Sequence, residues 1–328
     1  MLDFNIFAEN MQLNEAACNL WAGAWQQSQA LFEEEKLYFL QEDFINEVCQ
    51  ISSLEAAASE VLQAAAKEIL ASPLLCRFAW HCHWRHNLLP ESHLSYPGIF
   101  PSKDIKLPAD NSHLFTLVLF ARLPELKQFY KDRGIPEQIL ADTLYDLQIW
   151  TQNTFNKTGK YTFSAFAWMN NHFQPNIFAL GRLQFQFRQW HNPIKVFRQQ
   201  KTGTLRFFCK GNEKISVSGF RTAEADEEIA FTTFYQEANG QVSGNLVNNQ
   251  GYVEKEIITI DLCEWEEFLS AGDPVLILHI PEGAPLIQEE CKEAIKQAWE
   301  FFPKYFPEYK FKAITSNSWL FNPDLKKY

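Results

Sequence analysis

The segment GDPVLILHIPEGAPLIQEECKEAIKQAWEFF, residues 272–302, contains the pattern that decides the fold: a strand, a short turn and a helix. Its VLILHIP part is almost continuously apolar, which is typical of a central strand that is buried on both faces. The part after the turn places apolar residues on one side of a helix, at Ile287, Cys291, Ala294, Ile295 and Ala298. Backbone N–H groups at the start of such a helix can hold an anion, so the turn is a candidate phosphate site. The turn has one glycine, Gly283, and the segment has neither a GxGxxG nor a P-loop motif.

Helix patterns fill the chain before about residue 155, and strand patterns follow. SSLEAAASEVLQAAAKEILASP, residues 52–73, is rich in Ala, Leu and Glu, and PEQILADTLYDLQIW, residues 136–150, repeats apolar residues every three or four positions. By contrast, GRLQFQFR, residues 181–188, alternates strictly between apolar and polar residues, as a half-buried strand does. We therefore predict an α+β protein, with an all-helical domain over residues 1–155 and a mixed α/β domain over residues 156–328.

Composition and charge exclude several classes of protein. The 328-residue chain has a formal net charge of −11 and lacks long Lys/Arg runs, so it is a poor candidate for binding nucleic acid. No stretch approaches 18 consecutive apolar residues, and the amino end MLDFNIFAENMQL lacks a basic region followed by an apolar run, so we predict neither a membrane span nor a secretory signal. The seven cysteines are scattered and odd in number, which indicates free thiols in a reducing cytoplasm.

The stretch CRFAWHCHWRH, residues 76–86, brings three histidines and two cysteines together and raises the question of a metal site. Cys82 and His86 are four positions apart on a helix, a spacing that can chelate Zn²⁺. The rest of this helix is apolar nearly all round, however, and cysteine is itself among the most buried residue types. The pattern therefore favours a buried core helix, and we predict no metal site.

Four segments of the second half resemble the C-terminal domain of a GNAT-like acyltransferase family, namely LGRLQFQFR (180–188), GDPVLILHIPEGAPL (272–286), AWEFFPKYFP (298–307) and SNSWLFNPDL (316–325). GIPEQILADTLYDLQIW, residues 134–150, is similar to the helical N-terminal domain of the same family. The resemblance covers nearly the whole chain. It implies an enzyme that transfers an acyl group from acyl-CoA or acetyl-CoA to an amine or hydroxyl of a small-molecule acceptor, without a metal.

In the GNAT fold two central strands splay apart, and the pantetheine arm of the acyl donor lies between them. The resemblance makes VLILHIP the first of these strands and FKAITSNSWLF, residues 311–321, the second. It assigns binding of the CoA portion to the turn and the helix start, at Ile280, Gly283, Ala284 and Leu286. The chain departs from the family in two respects: the turn lacks the usual glycine-rich phosphate loop, and the domain is expected to be short at its C-terminus.

Acyl transfer needs a base for the acceptor proton and a donor for the thioester carbonyl oxygen. His279, at the end of the first splayed strand, is the leading candidate base, and a hydrogen-bonded core histidine is the alternative. Glu282 is a second candidate base or a simple turn carboxylate. Ser318 is the candidate acid, oxyanion donor or nucleophile, and backbone capping is its alternative role.

Acceptor binding is assigned to polar residues of the second half. Arg182 and Gln184 belong to the polar face of the GRLQFQFR strand, which is either a solvated sheet face or one wall of an acceptor cleft. Tyr252, in a Gly/Asn-rich segment, is a third candidate. Two other functions stay open: a GNAT-fold protein that binds or has a structural role without catalysis, and a metal- or Ser-dependent hydrolase.

Overall fold

A computed structural model describes residues 2–89, 98–101, 112–162, 165–222, 227–318 and 320. The chain divides into two compact units. Unit 1 consists of Met1–Gln184 with Ile280–Ala298, and unit 2 consists of Phe185–His279 with Trp299–Tyr328. The domain boundary at residue 155 stays a prediction.

Unit 1 is built mainly of helices, as the first half of the sequence predicts. Its helices are α1 (Phe4–Asn10), α2 (Glu15–Trp21), α3 (Trp25–Ala30), α4 (Glu42–Ile51), α5 (Ala56–Ala71), α6 (Pro73–His83), α7 (Ser112–Phe120), α8 (Leu123–Arg133), α9 (Glu137–Leu144), α10 (Asp146–Thr158) and α11 (Phe166–Phe173). Large aromatic side chains fill the space between them, and Trp21, Trp25, Trp80 and Phe115 are almost completely buried. Each such side chain removes a large apolar area from water, so these rings dominate the stability of the helical core.

The segment 136–150, which periodicity predicts as one helix, forms two. Helix α9 ends at Leu144, Tyr145 connects, and α10 begins at Asp146. The apolar pattern does not reveal this break, because Leu144 and Leu147 on either side of it are both buried. The break places Asp146 in the first turn of α10, where a carboxylate is favoured by the helix dipole.

The stretch CRFAWHCHWRH lies in α6 and in a π-helical turn at Trp84–Leu88, and it is a buried core element as its pattern predicts. His81 is fully buried, and its Nδ1 lies 2.7 Å from Ser28 Oγ. Burial lowers the pKa of His81 to about 3 and the pKa of His83 to about 4, so both rings are neutral at pH 7. Within the described residues, no group of three or more His, Cys, Asp or Glu side chains is placed to hold a metal ion.

Strands dominate the second half of the chain. They are β1 (Ile177–Leu180), β2 (Leu183–Gln189), β3 (Ile194–Gln199), β4 (Leu205–Cys209), β5 (Lys214–Ser216), β6 (Ile229–Thr232), β7 (Tyr235–Ala238), β8 (Gln241–Val247), β9 (Val253–Asp261), β10 (Trp265–Leu269), β11 (Pro274–His279) and β12 (Ala313–Thr315). In unit 2 they form an antiparallel sheet of order β10–β3–β4–β8–β7, in which β8 also pairs with β9. Strands β2, β11 and β12 are neighbours in a second sheet, and β5 pairs with β6.

Helix α12 (Gln288–Tyr305) follows β11 and the turn, as the opening segment of sequence predicts. It buries Ala294, Ala298 and Phe302, which recur at the four-residue spacing of one helix face. No described helix is both long enough and apolar enough to cross a membrane. All seven cysteines are unpaired.

Candidate functional site

The parallel pair of β11 and β12 lies at the centre of the candidate site in unit 2. Its register joins Val275 to Ala313, Leu276 to Ile314, and Ile277 to Thr315. Strand β12 ends at Thr315, whereas β11 continues through Leu278 and His279. The carbonyl oxygen of Leu278 accepts a hydrogen bond from Ser316 Oγ at 3.0 Å instead of one from a paired strand residue of β12. The two strands predicted to splay are therefore adjacent, and their ladder stops just before His279.

His279 is held by a side chain of the neighbouring strand β2. Its Nε2 lies 3.0 Å from Gln186 Oε1. An amide oxygen only accepts, so Nε2 carries the proton and the lone pair of the neutral imidazole is on Nδ1. Gln186 and Gln184 are each 2% exposed, so the middle of the polar face of the GRLQFQFR strand is not solvated, whereas Arg188 at its end is exposed. Both amides lie against other polar side chains, which period-2 alternation alone does not show.

Two predicted residues of unit 2 have local partners. Ser318 Oγ accepts a hydrogen bond from the N–H of Leu320 at 3.3 Å and lies beyond β12, which is much shorter than the predicted strand over 311–321. Tyr252 lies in the connection between β8 and β9, with its ring 4.8 Å from that of Phe220. Catalysis by Ser318 and acceptor binding by Tyr252 stay predictions.

The turn between β11 and α12 is fixed from within unit 1 by Arg182. Its Nε donates to the carbonyl oxygen of Pro285 at 2.9 Å, and a terminal nitrogen donates to that of Ala284 at 2.5 Å. Gly283 has a φ of +93°, a left-handed conformation that favours glycine. The guanidinium places a positive charge directly at the predicted phosphate turn, where Leu286 is exposed and Ile280 is half-buried.

A cleft of about 280 Å³ in unit 1 brings together four of the predicted residues, Arg182, Gln184, Glu282 and Ala284. Tyr145 and Asp146 also line it. Glu282 is exposed, and its Oε2 accepts a hydrogen bond from Asn153 Nδ2 at 2.6 Å. The cleft therefore collects carboxylates and an amide around one guanidinium, a lining suited to a polar ligand.

Sequence reasoning missed a buried Asp146–His172 pair beside this cleft. His172 Nδ1 lies 3.2 Å from the carbonyl oxygen of Trp168, so Nδ1 carries a proton. Its Nε2 lies 3.3 Å from Asp146 Oδ2. Burial lowers the pKa of His172, and the charge of Asp146 opposes that effect.

Asp146 also organises two other side chains. Its Oδ2 accepts from Trp168 Nε1 at 2.7 Å, and its Oδ1 accepts from Gln184 Nε2 at 3.2 Å. The pair therefore fixes the orientation of Gln184, one of the predicted acceptor residues. The only sequence signal for Asp146 is an acidic residue inside an apolar helix pattern, and that pattern gives no hint of His172 as its partner.

Two family models match the chain. The model for the N-acyltransferase N-terminal domain matches residues 43–174, and that for the GNAT-like C-terminal domain matches residues 177–328. The chain belongs to the GNAT-like acyltransferase family. This confirms the resemblance read from the sequence, and it confirms the α+β class: a helical region followed by a strand-rich GNAT-like domain.

Solved acyltransferases have the same fold as this GNAT-like protein. A variant acyltransferase in complex with octanoyl-CoA has a TM-score of 0.59 and 18% identity, over 100% of this chain and 76% of its own. An acyltransferase in complex with decanoyl-CoA has a TM-score of 0.57 and 20% identity, over 100% and 77%. An acyltransferase in complex with decanoyl-CoA and teicoplanin has a TM-score of 0.54 and 19% identity, over 86% of this chain. The match spans 64% of that protein, which is less than two thirds of its length. No curated relative matches the chain.

Proposed function

We propose that this protein is an acyl-CoA-dependent acyltransferase that moves an acyl group to an amine or hydroxyl of a small molecule. The observation that carries the proposal is the end of the β11–β12 ladder at Ile277 and Thr315, with Leu278 and His279 continuing beyond it. An extended ligand can add to strand backbone that has lost its neighbour, and pantetheine has amide groups able to do so. The acyl-CoA complexes of the similar structures support the same donor class.

The turn that follows His279 along the chain is our proposed site for the CoA phosphates. The charge of Arg182 and the backbone of Gly283 and Ala284 favour an anion there. Glu289 and Glu290 in the first turn of α12 oppose it through like charge. We therefore expect affinity for CoA to depend strongly on Arg182.

We assign the removal of the acceptor's proton to His279. The acceptor nitrogen or oxygen attacks the thioester carbon, the new C–N or C–O bond forms, and the C–S bond breaks. The proton lost by the acceptor passes to Nδ1 of His279, the nitrogen left unprotonated by the contact of Nε2 with Gln186. The sulfur leaves as a thiolate and takes up a proton. Ser318 retains a hydroxyl proton that can be donated to the thioester carbonyl oxygen.

Acceptor-dependent release of the CoA thiol tests this function. The purified protein is incubated with acetyl-CoA or octanoyl-CoA and a panel of amines and alcohols, and free thiol is measured with a chromogenic disulfide. We expect thiol release that requires an acceptor, with the acylated acceptor found by mass spectrometry. Thiol release without any acceptor would indicate a hydrolase instead. Saturable acyl-CoA binding without release would favour a GNAT-fold binding module.

A further inference from the structure

Unit 2 contains a groove of about 990 Å³ to which the proposed reaction assigns no ligand. Ile277, Thr315 and Ser316, at which the β11–β12 ladder stops, are among the residues that line it. The groove therefore includes the place where the thioester of the donor would lie. Its size is at the upper end of the range for small-molecule sites, far more than an acetyl group fills.

The inner wall of the groove is apolar and rigid. It is built from strands of the antiparallel sheet and from β11, with Ile194, Cys209, Val247, Val253 and Val275 among its lining residues. Val275 is fully buried, and Cys209 and Val253 are less than a tenth exposed. These side chains belong to packed clusters, so the wall cannot readily collapse to close the space.

The rim of the groove is basic. Arg188, His191 and Arg221 line it, and among its described lining residues none is acidic, although the whole chain has a net charge of −11. The Arg221 charge is shared with Glu213, whose Oε2 lies 3.6 Å from Arg221 Nε. An apolar interior complements an aliphatic chain, and a basic rim attracts an anionic molecule such as an acyl-CoA toward the groove.

We infer that this groove holds the aliphatic chain of the acyl donor, so that the enzyme selects medium-length acyl-CoA over acetyl-CoA. The inference rests on the proposed function, because the chain is attached to the thioester that the proposal places at the ladder end. Each methylene that enters the groove leaves water, and full burial of one methylene raises affinity about fourfold. We therefore expect affinity to climb steeply with chain length until the groove is filled.

Calorimetric titration of the whole protein with CoA, acetyl-, butyryl-, hexanoyl- and octanoyl-CoA tests the inference. We expect the dissociation constant to fall by several-fold or more for each two added carbons. Val247→Phe, which fills part of the groove at a half-buried position, is expected to abolish this dependence and to leave acetyl-CoA affinity within about threefold. Val217→Phe, at a position 65% exposed and outside the groove, is the matched control.

Three outcomes distinguish a failure of the groove assignment from a failure of the proposed function. Equal affinity for all the acyl-CoAs would overturn the groove assignment and leave the proposed function in place. A chain-length dependence that Val247→Phe and a second variant, Ile194→Phe, both leave intact would also overturn it, provided that their thermal unfolding matches that of the parent protein. A failure of every CoA compound to bind would overturn the proposed function and the groove assignment together.

Discussion

His279 on β11 and Gln186 on β2 are joined side chain to side chain, with 3.0 Å between Nε2 and Oε1. Gln186 is almost completely buried, so its amide is fixed by the sheet and can fix the imidazole in turn. This contact gives the proposed base a defined tautomer. The last residue of β11 thus carries an oriented imidazole at the point where its parallel partner strand has already ended.

Replacing the base gives the first prediction. We expect His279→Ala to lower kcat by about 10²- to 10⁴-fold, the usual contribution of general base catalysis, with donor affinity changed by less than about threefold. Steady-state thiol release and calorimetry measure the two quantities. Turnover within tenfold of the parent protein would remove His279 from the mechanism.

Gln186 gives a second prediction, because it positions His279 and fixes the tautomer of its ring. Gln186→Leu keeps the side-chain volume but removes the acceptor oxygen, and loss of one hydrogen bond of this kind costs about 1 kcal/mol. We expect kcat to fall about fivefold to tenfold while the acceptor KM and the donor affinity stay unchanged. A rise in KM with kcat unchanged would show that Gln186 binds substrate instead of orienting His279.

Arg182 gives a third prediction, because it is the cation at the proposed phosphate turn. We expect Arg182→Gln to weaken CoA binding about tenfold or more and to leave pantetheine, which lacks the pyrophosphate, unaffected. Lys157→Gln, which removes an exposed charge from the same unit, is the control. If the two variants weaken CoA binding equally, the effect is one of net charge and the turn is not the phosphate site.

The buried Asp146–His172 pair gives a fourth prediction, on stability. Removing the Asp146 carboxylate takes an acceptor from Trp168 Nε1 and from the buried Gln184 amide, and a buried donor left without its acceptor costs about 1–3 kcal/mol. We expect Asp146→Ala to lower the free energy of unfolding by at least this amount. Exposed Asp142, which lines the same cleft, is the control, and Asp142→Ala should cost less than about 1 kcal/mol. Equal losses in urea denaturation would contradict the pair's structural role.

The core histidines give a fifth prediction, on pH. The pKa is lowered to about 3 for His81 and to about 4 for His83 and His86, chiefly by burial, below the unfolded value of about 6.5. Below pH 6.5 the unfolded chain therefore binds more protons than the folded protein. The contribution of these three rings to the free energy of unfolding is full above pH 6.5 and falls as the pH drops toward 4, by up to about 4 kcal/mol per pH unit.

One variant isolates the histidine contribution. His81→Gln removes one titrating ring, so the slope of unfolding free energy against pH between 6 and 4.5 should fall by about 1.4 kcal/mol per pH unit. The parent protein, unfolded under the same conditions, is the control. Chemical denaturation over this pH range measures both slopes, and an unchanged slope for His81→Gln would contradict the burial argument.

Periodicity predicted the helices and strands of this fold better than it predicted which residues pack against them. The apolar run of β11 and the one-sided pattern of α12 were sufficient to place a buried strand and an amphipathic helix. Alternation in β2 correctly separated two faces, but it could not show that Gln184 and Gln186 would both be buried against other polar groups. What covers a strand face depends on residues far along the chain, such as Asp146 and His279.

For the same reason, only part of the candidate site could be predicted. His279 and the turn at Gly283 follow from the strand–turn–helix pattern, which is local. The contacts of Arg182 with the turn carbonyls join residues about a hundred positions apart, and no local pattern encodes them. The break at Tyr145, after which Asp146 begins α10, involves a single residue within a continuous apolar periodicity.

The structure of the protein bound to CoA is the measurement that tests the central claim most directly. We expect the pantetheine arm to lie along β11 beyond the Ile277–Thr315 pair, with an amide hydrogen-bonded to the backbone of Leu278 and its sulfur near the part of the unit 2 groove that Ile277 and Thr315 line. Pantetheine bound away from β11, or no bound CoA at saturating concentration, would contradict the assignment of this strand end as the donor site.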